Sequence, residues 1–308
     1  MKQKLALVFP GQGSQSVGML TKLALNYAVV EQTFAQASTV LDYDVWRLSQ
    51  TGPVDKLNTT EFTQPALLAA GVAVWRVWRA NGGRVPAYMA GHSLGEYTAL
   101  VCAGALDFTD AIALVQQRGR AMQSAVPAGQ GAMAAIIGLD PALVTDLCLQ
   151  ATEEAMVAPA NFNATKQVVI AGMQAAVERA MRLAKQQGAK RVVKLPMSVP
   201  SHCHLMRPAA AKLAPAIQAL ALQAPSIPIV HNVDAKTHRD PDDIKQALIT
   251  QLYSPVKWLD TIQTLVSAKV DTIIECGPGQ VLTGLNRQID STIKSSAIAS
   301  ELSITSPG

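Results

Sequence analysis

Ala90-Gly91-His92-Ser93-Leu94-Gly95-Glu96 is the stretch from which the fold can be read. The residues before it, Pro86 to Ala90, are short, apolar and uncharged, the pattern of a buried parallel strand. Those after it, Leu94 to Cys102, read as a helix with Tyr97, Leu100 and Val101 apolar and Glu96 in the first turn. A serine flanked by Gly91 and Gly95 between strand and helix matches G-x-S-x-G, the nucleophile elbow. The turn is expected to hold Ser93 at a strained backbone angle. Side chains at the two glycine positions would collide with the neighbouring strand and helix. Its hydroxyl then sits at a helix N-terminus, where free N–H groups meet developing negative charge. The Leu94 N–H becomes a natural oxyanion donor.

Working outward toward the N-terminus, Lys4 to Phe9 reads as a strand that runs into Pro10-Gly11-Gln12-Gly13-Ser14-Gln15. This glycine-rich loop has neither the dinucleotide nor the P-loop spacing. The spacing leaves open whether it is a plain turn or approaches Ser93 with the Gln12 N–H as a second oxyanion donor. A helix is expected to start at Gln64-Pro65, proline being favoured at a first helical position. Beyond the elbow, Thr109 is the expected N-cap of a helix over 109–124. There Ala111, Val115, Arg118 and Met122 share one face. A guanidinium on an apolar stripe needs an anion, because a buried unpaired charge is very costly. Either an internal salt bridge or a ligand carboxylate satisfies that demand.

After Pro127-Ala128-Gly129 the pattern changes. Strand 131–138, helix 141–154, strands 156–160 and 167–172, helix 174–187 and strand 191–195 follow in the order β-α-β-β-α-β, the ferredoxin-like arrangement. The expected fold class is therefore α/β. A large subdomain with a parallel sheet, formed by 1–126 and 198–308, carries an inserted ferredoxin-like (βαββαβ) subdomain at 127–197. The chain returns through the loop 196–204, which holds His202 and His204 at the junction of the two, a common place for an active site. His92 is set aside as a base because its side chain should leave the strand end on the side opposite Ser93. His231 and His238 fall in or after a strand at 227–231, and both histidines of the loop stay open as the base. A zinc site on His202 and His204 lacks a third ligand nearby. A helix through 213–222, a strand at 270–275 and a last long helix after Gln280 complete the reading.

Composition narrows the function. Of 308 residues, 49% are apolar and only 16% charged, which fits a packed enzyme and excludes a disordered chain. The net charge of +4 is spread out, and no Lys/Arg run resembles a nucleic-acid arm, so at most an acidic ligand or partner is implied. The four cysteines show no metal spacing and read as free thiols in a reducing compartment. Leu5 to Phe9 is too short for a signal peptide, and Ala121 to Leu139 is broken by Pro127 and three glycines, so no membrane span is expected. The expected location is the cytoplasm.

FPGQGSQ (9–15), FTQPAL (62–67), GHSLGEY (91–97), QRGRAMQ (117–123), GAMAAIIGL (131–139), PSHCHLM (200–206), QLYSPVKW (251–258) and ECGPGQVLTGL (275–285) together carry a resemblance. The chain resembles the malonyl-CoA:acyl carrier protein transacylases, which load malonyl groups for fatty acid synthesis. The resemblance implies an α/β-hydrolase-like large subdomain, Ser93 as nucleophile and His202 as its base. It further implies Gln12 and Leu94 as the backbone oxyanion pair, Arg118 as the grip on the malonyl carboxylate, and Gln251 as the residue whose backbone carbonyl orients the histidine. Malonyl-CoA as substrate and acyl carrier protein, through its phosphopantetheine thiol, as partner follow from it. No metal, no cofactor, no nucleic acid and no membrane partner are expected, and the expected state is a monomer. Acylation is expected to rise through a pKa near neutrality as His202 loses its proton. Two rival readings remain: a serine esterase or thioesterase with Asp107 or Asp146 completing a triad, and a non-catalytic docking module.

Overall fold

The computed structural model describes residues 4–197 and 199–298. In chain order its strands are β1 (Leu5–Phe9), β2 (Tyr88–Gly91), β3 (Gly131–Ile137), β4 (Val157–Ala164), β5 (Gln167–Met173), β6 (Arg191–Lys194), β7 (Ile229–Val230), β8 (Thr272–Glu275) and β9 (Lys294–Ala297). The uncharged run LALVF of β1 is buried at every position, as a central parallel strand covered on both faces requires. It lies in the middle of a five-stranded parallel sheet ordered β7-β2-β1-β8-β9. The chain goes from β1 to β2 on one side and later to β8 on the other. The loops leaving β1, β2 and β8 therefore meet at one edge, at a topological switch point where α/β sheets bind ligands. Register shows how closely: Phe9 pairs with Gly91, and Val8 with Glu275.

Strands β3 to β6 form a separate antiparallel sheet ordered β4-β5-β3-β6, the ferredoxin-like order. Side chains alternate across it with period two. Ala132, Ala134, Ile136, Val168 and Ile170 pack under the helices Pro141–Ala151 and Gln174–Gln186. Met133, Ala135, Val169 and Ala171 face the other way and cluster with Cys203, next to His202 in sequence. Ala160 and Phe162 of β4 also exchange backbone hydrogen bonds with Val256. The second face of the small sheet is thereby sealed onto the large subdomain beside Ser93.

Several boundaries differ from the sequence reading. The helix expected at Gln64 begins at Thr60 and runs to Ala80 with Pro65 inside it, because the Thr59 carbonyl already accepts from Phe62 and Thr63. The next long helix is Phe108–Ser124, and its N-cap is Asp107, not Thr109: one carboxylate oxygen accepts from the Thr109 and Asp110 N–H groups. Strand β4 continues to Ala164, bringing Asn161 and Asn163 into the sheet. The helix expected through Leu222 is Arg207–Gln218. The last helix is Val281–Ile289, and β9 follows it, a polar KSSA strand without the alternation that marks a strand in sequence. Among the described residues no helix is long and apolar enough to cross a membrane.

Candidate active site

Ser93 stands between β2 and the helix Leu94–Cys102 with φ 54° and ψ −107°, the strained conformation expected of an elbow. The flanking glycines are steric necessities. A Cβ on Gly91 would overlap the backbone of Gly95, and one on Gly95 would overlap the Phe9 carbonyl of β1. Strand, helix and the loop after β1 are thus closer than any side chain permits.

His202 also has a positive φ, 61°, and its N–H is pinned to the Leu252 carbonyl at 3.1 Å. Its Nε2 lies 2.7 Å from Ser93 Oγ, and its Nδ1 lies 2.8 Å from the Gln251 backbone carbonyl. A carbonyl only accepts, so Nδ1 carries the proton and Nε2 is the bare acceptor facing the serine hydroxyl. His204, the other candidate base, is exposed at the start of a 3₁₀ turn. The triad acids of the hydrolase reading are elsewhere. Asp107 caps its helix, Asp146 lies on the small-sheet helix Pro141–Ala151, and the carbonyl of Gln251 holds the place an acid would take. No cluster of three or more metal-ligating side chains occurs among the described residues.

Burial is the first reason the His202 pKa falls, from an ordinary 6.5 to about 3, and the Arg118 guanidinium is the second. This corrects the expectation of titration near neutrality. His202 in the free enzyme stays a neutral base well into the acid range. His92 is set aside as the base as expected: its Nε2 pairs with Asn163 Oδ1 at 2.9 Å and its ring lies 5.5 Å from that of Trp258.

Arg118 is 1% exposed and has no carboxylate within ion-pairing distance among the described residues. Instead Nη1 donates to Gln64 Oε1 at 2.9 Å, and Nη2 donates to Gln251 Oε1 at 2.8 Å and to Ser93 Oγ at 3.2 Å. Its Nε has no acceptor, and the guanidinium lies 5.3 Å from the Tyr97 ring centroid. A buried cation held only by neutral oxygens, and aimed into a pocket, is poised for an anion supplied from outside. Gln12 and Leu94 line that pocket with Ser93 and His202, and neither backbone N–H donates to a protein acceptor among the described residues. Both amides remain available to a ligand oxygen.

Three polar residues in the second layer were not singled out by motif or spacing. Gln64 holds Arg118. Asn232, on the loop after β7, accepts from the Ser93 N–H at 2.7 Å and donates to the Gly91 carbonyl at 2.6 Å, clamping the strained turn on both sides. Glu96, read only as a first-turn helix residue, is fully buried and hydrogen-bonds His231, Asn232 and Gln251. The quoted FTQPAL and GHSLGEY pieces contain Gln64 and Glu96. Asn232 lies in no such piece.

Comparison with known proteins bears on this geometry. The family model described as "Acyl transferase domain" matches residues 6–305. A malonyl CoA-acyl carrier protein transacylase of Escherichia coli (strain K12) is 55% identical over 295 residues, covering 96% of each chain. The crystal structure of an acyl carrier protein S-malonyltransferase from Vibrio cholerae is 56% identical with a TM-score of 0.95, covering 98% of this chain and 99% of that one. A malonyl-transacylase solved in complex with its type II PKS acyl-carrier protein is 52% identical with a TM-score of 0.97, covering 98% of both chains.

Proposed function

Because this chain belongs to the acyl transferase domain family, we infer that it transfers the malonyl group of malonyl-CoA to the phosphopantetheine thiol of acyl carrier protein, supplying fatty acid synthesis. The observation that carries the reading is Arg118: a buried guanidinium without a carboxylate partner among the described residues, 3.2 Å from the Ser93 hydroxyl. An acyl group that ends in a carboxylate brings the missing anion and, on the same side, presents its thioester to the serine.

The reaction is a two-step exchange. His202 Nε2 takes the Ser93 proton as Oγ attacks the thioester carbon, and the resulting oxyanion is received by the Gln12 and Leu94 N–H groups. The C–S bond breaks, the leaving thiolate takes the proton from His202, and coenzyme A departs, leaving malonyl-serine. The carrier thiol then gives its proton to His202 and attacks the ester carbon. Ser93 leaves with that proton, so the enzyme is regenerated. The Gln251 carbonyl steadies the Nδ1 proton throughout, with less charge to stabilise imidazolium than a carboxylate would offer. This chemistry calls for no metal and no cofactor beyond the two thioester partners. A monomer in the cytoplasm is the state we assign to it.

Intact mass after incubation with malonyl-CoA alone tests the proposal. One malonyl group on wild type, mapped to Ser93 and absent from Ser93→Ala, is expected. An adduct on Cys102 or Cys203, or release of free malonate at the rate of coenzyme A release, would overturn it in favour of thiol chemistry or hydrolysis.

A further inference from the structure

We infer that Glu96 is a positioning residue for the carboxylate end of the substrate, acting through the side chain of Gln251 on Arg118. The inference deepens the function proposed above and rests on it. Glu96 lies one turn beyond Ser93 on the elbow helix and is 0% exposed. Its Oε1 accepts from His231 Nδ1 at 2.8 Å, and its Oε2 accepts from the Asn232 N–H at 3.0 Å and from Gln251 Nε2 at 3.1 Å.

The direction of the Gln251 amide follows from its neighbours. On one side stand the Glu96 carboxylate and, at 3.0 Å, the Ser93 carbonyl, groups that only accept. On the other stands Arg118 Nη2, a group that only donates, 2.8 Å from Oε1. The amide NH2 must face Glu96 and its oxygen must face Arg118. Glu96 is thus the buried negative charge nearest the line of this relay, separated from the guanidinium by one amide. If Glu96 becomes a glutamine, its own NH2 can turn toward Gln251. The relay amide then loses the charge that fixes its NH2 and is held on that side by the Ser93 carbonyl alone. It presents its oxygen less firmly to Arg118, weakening one of the three neutral acceptors of the guanidinium.

Glu96 has a second task that must be told apart from this one. Through Asn232 it also supports the elbow, and damage there slows every acyl group alike. Damage to the relay falls more heavily on malonyl, because only malonyl brings a carboxylate to Arg118. The malonyl-to-acetyl ratio therefore separates the two tasks even though Arg118 and Gln251 also touch Ser93. The experiment measures single-turnover acylation by malonyl-CoA and by acetyl-CoA in wild type, Glu96→Gln, Gln251→Met and the double variant. Gln251→Met removes the amide but keeps the backbone carbonyl under His202.

The malonyl-to-acetyl ratio is expected to fall about tenfold or more in each single variant, the scale of one charge-assisted hydrogen bond. The double variant is expected to fall no further than the lower single, as residues of one relay must. An unchanged ratio in Glu96→Gln, or losses that multiply in the double variant, would overturn the relay. Should Glu96→Gln not fold, Glu96→Asp carries the same comparison, since it keeps the buried charge but draws the carboxylate back from Gln251 by one methylene. A wild-type enzyme without malonyl preference would overturn the proposed function and this inference with it. A wild-type preference that survives in the variants overturns the relay alone.

Discussion

Arg118 donates to the hydroxyl of Ser93 across 3.2 Å, so the positive charge of the pocket rests on the attacking oxygen until a substrate draws it away. That contact couples recognition to chemistry. While Nη2 engages Oγ, the same charge also depresses the basicity of His202. A bound carboxylate relieves both effects together.

Arg118→Ala is therefore expected to lower malonyl transfer sharply and to relax selectivity toward acetyl-CoA. Its stability should not fall by the ~3–5 kcal/mol that breaking a buried ion pair costs, because no protein carboxylate is orphaned. The ratio of the two acylation rates and the melting temperature, measured on one variant, check this. A collapse in stability with the ratio intact would make Arg118 structural.

His202→Ala should cut turnover by ~10²–10⁴, the usual contribution of a general base, whereas His204→Ala should leave it near wild type. Steady-state rates on the two variants are enough. The reverse ranking would assign the base wrongly here.

The pH dependence has a definite sign. With His202 pushed down to about 3, kcat/KM for acylation should stay flat from pH 8 to about 5, since the free enzyme already holds the neutral base. Carboxylate on Arg118 removes one cause of the depression, so the acid limb of kcat should lie at higher pH than that of kcat/KM. Arg118→Ala should move the kcat/KM limb upward. Matched pre-steady-state profiles test all three statements.

Stability follows the same group. The unfolded chain protonates His202 near 6.5 and the folded chain near 3, so the unfolded state binds more protons between those values. The contribution is fully present above 6.5 and is lost as pH falls toward 3. Denaturant midpoints should thus decline with acid across that window, and less steeply in His202→Ala.

Gly95→Ala tests the elbow itself. Its Cβ would overlap the Phe9 carbonyl, so either the strand or the helix must move. Loss of soluble protein or of the malonyl adduct is expected. Full activity would show that the strand and helix have more room than this packing implies.

Much of the site is legible in the linear chain because its chemistry leaves local marks. A serine on a tight turn demands glycines two residues either side, so the elbow declares itself within seven letters. The apolar run of β1 declares a strand buried on both faces, and the β-α-β-β-α-β order of elements after Gly129 declares the second sheet. Helical periodicity put Arg118 on an apolar face, though it left open which anion would meet it.

What only the tertiary structure decided lies in the pairing of distant groups. The amide of Gln251 reaches Glu96 across 155 positions, and Asn232 reaches the Ser93 N–H across 139. Arg118 reaches Gln64 across 54. Such bonds impose no period, spacing or turn chemistry on the residues between them, so nothing nearby in sequence records them. The choice of His202 over His204 has the same origin. Two residues apart in one loop, they differ because the Leu252 carbonyl pins one backbone N–H and the Gln251 carbonyl orients that ring, leaving the other in solvent. The depressed pKa of His202 likewise needs depth of burial and the nearness of Arg118, quantities that exist only once the chain has closed around them.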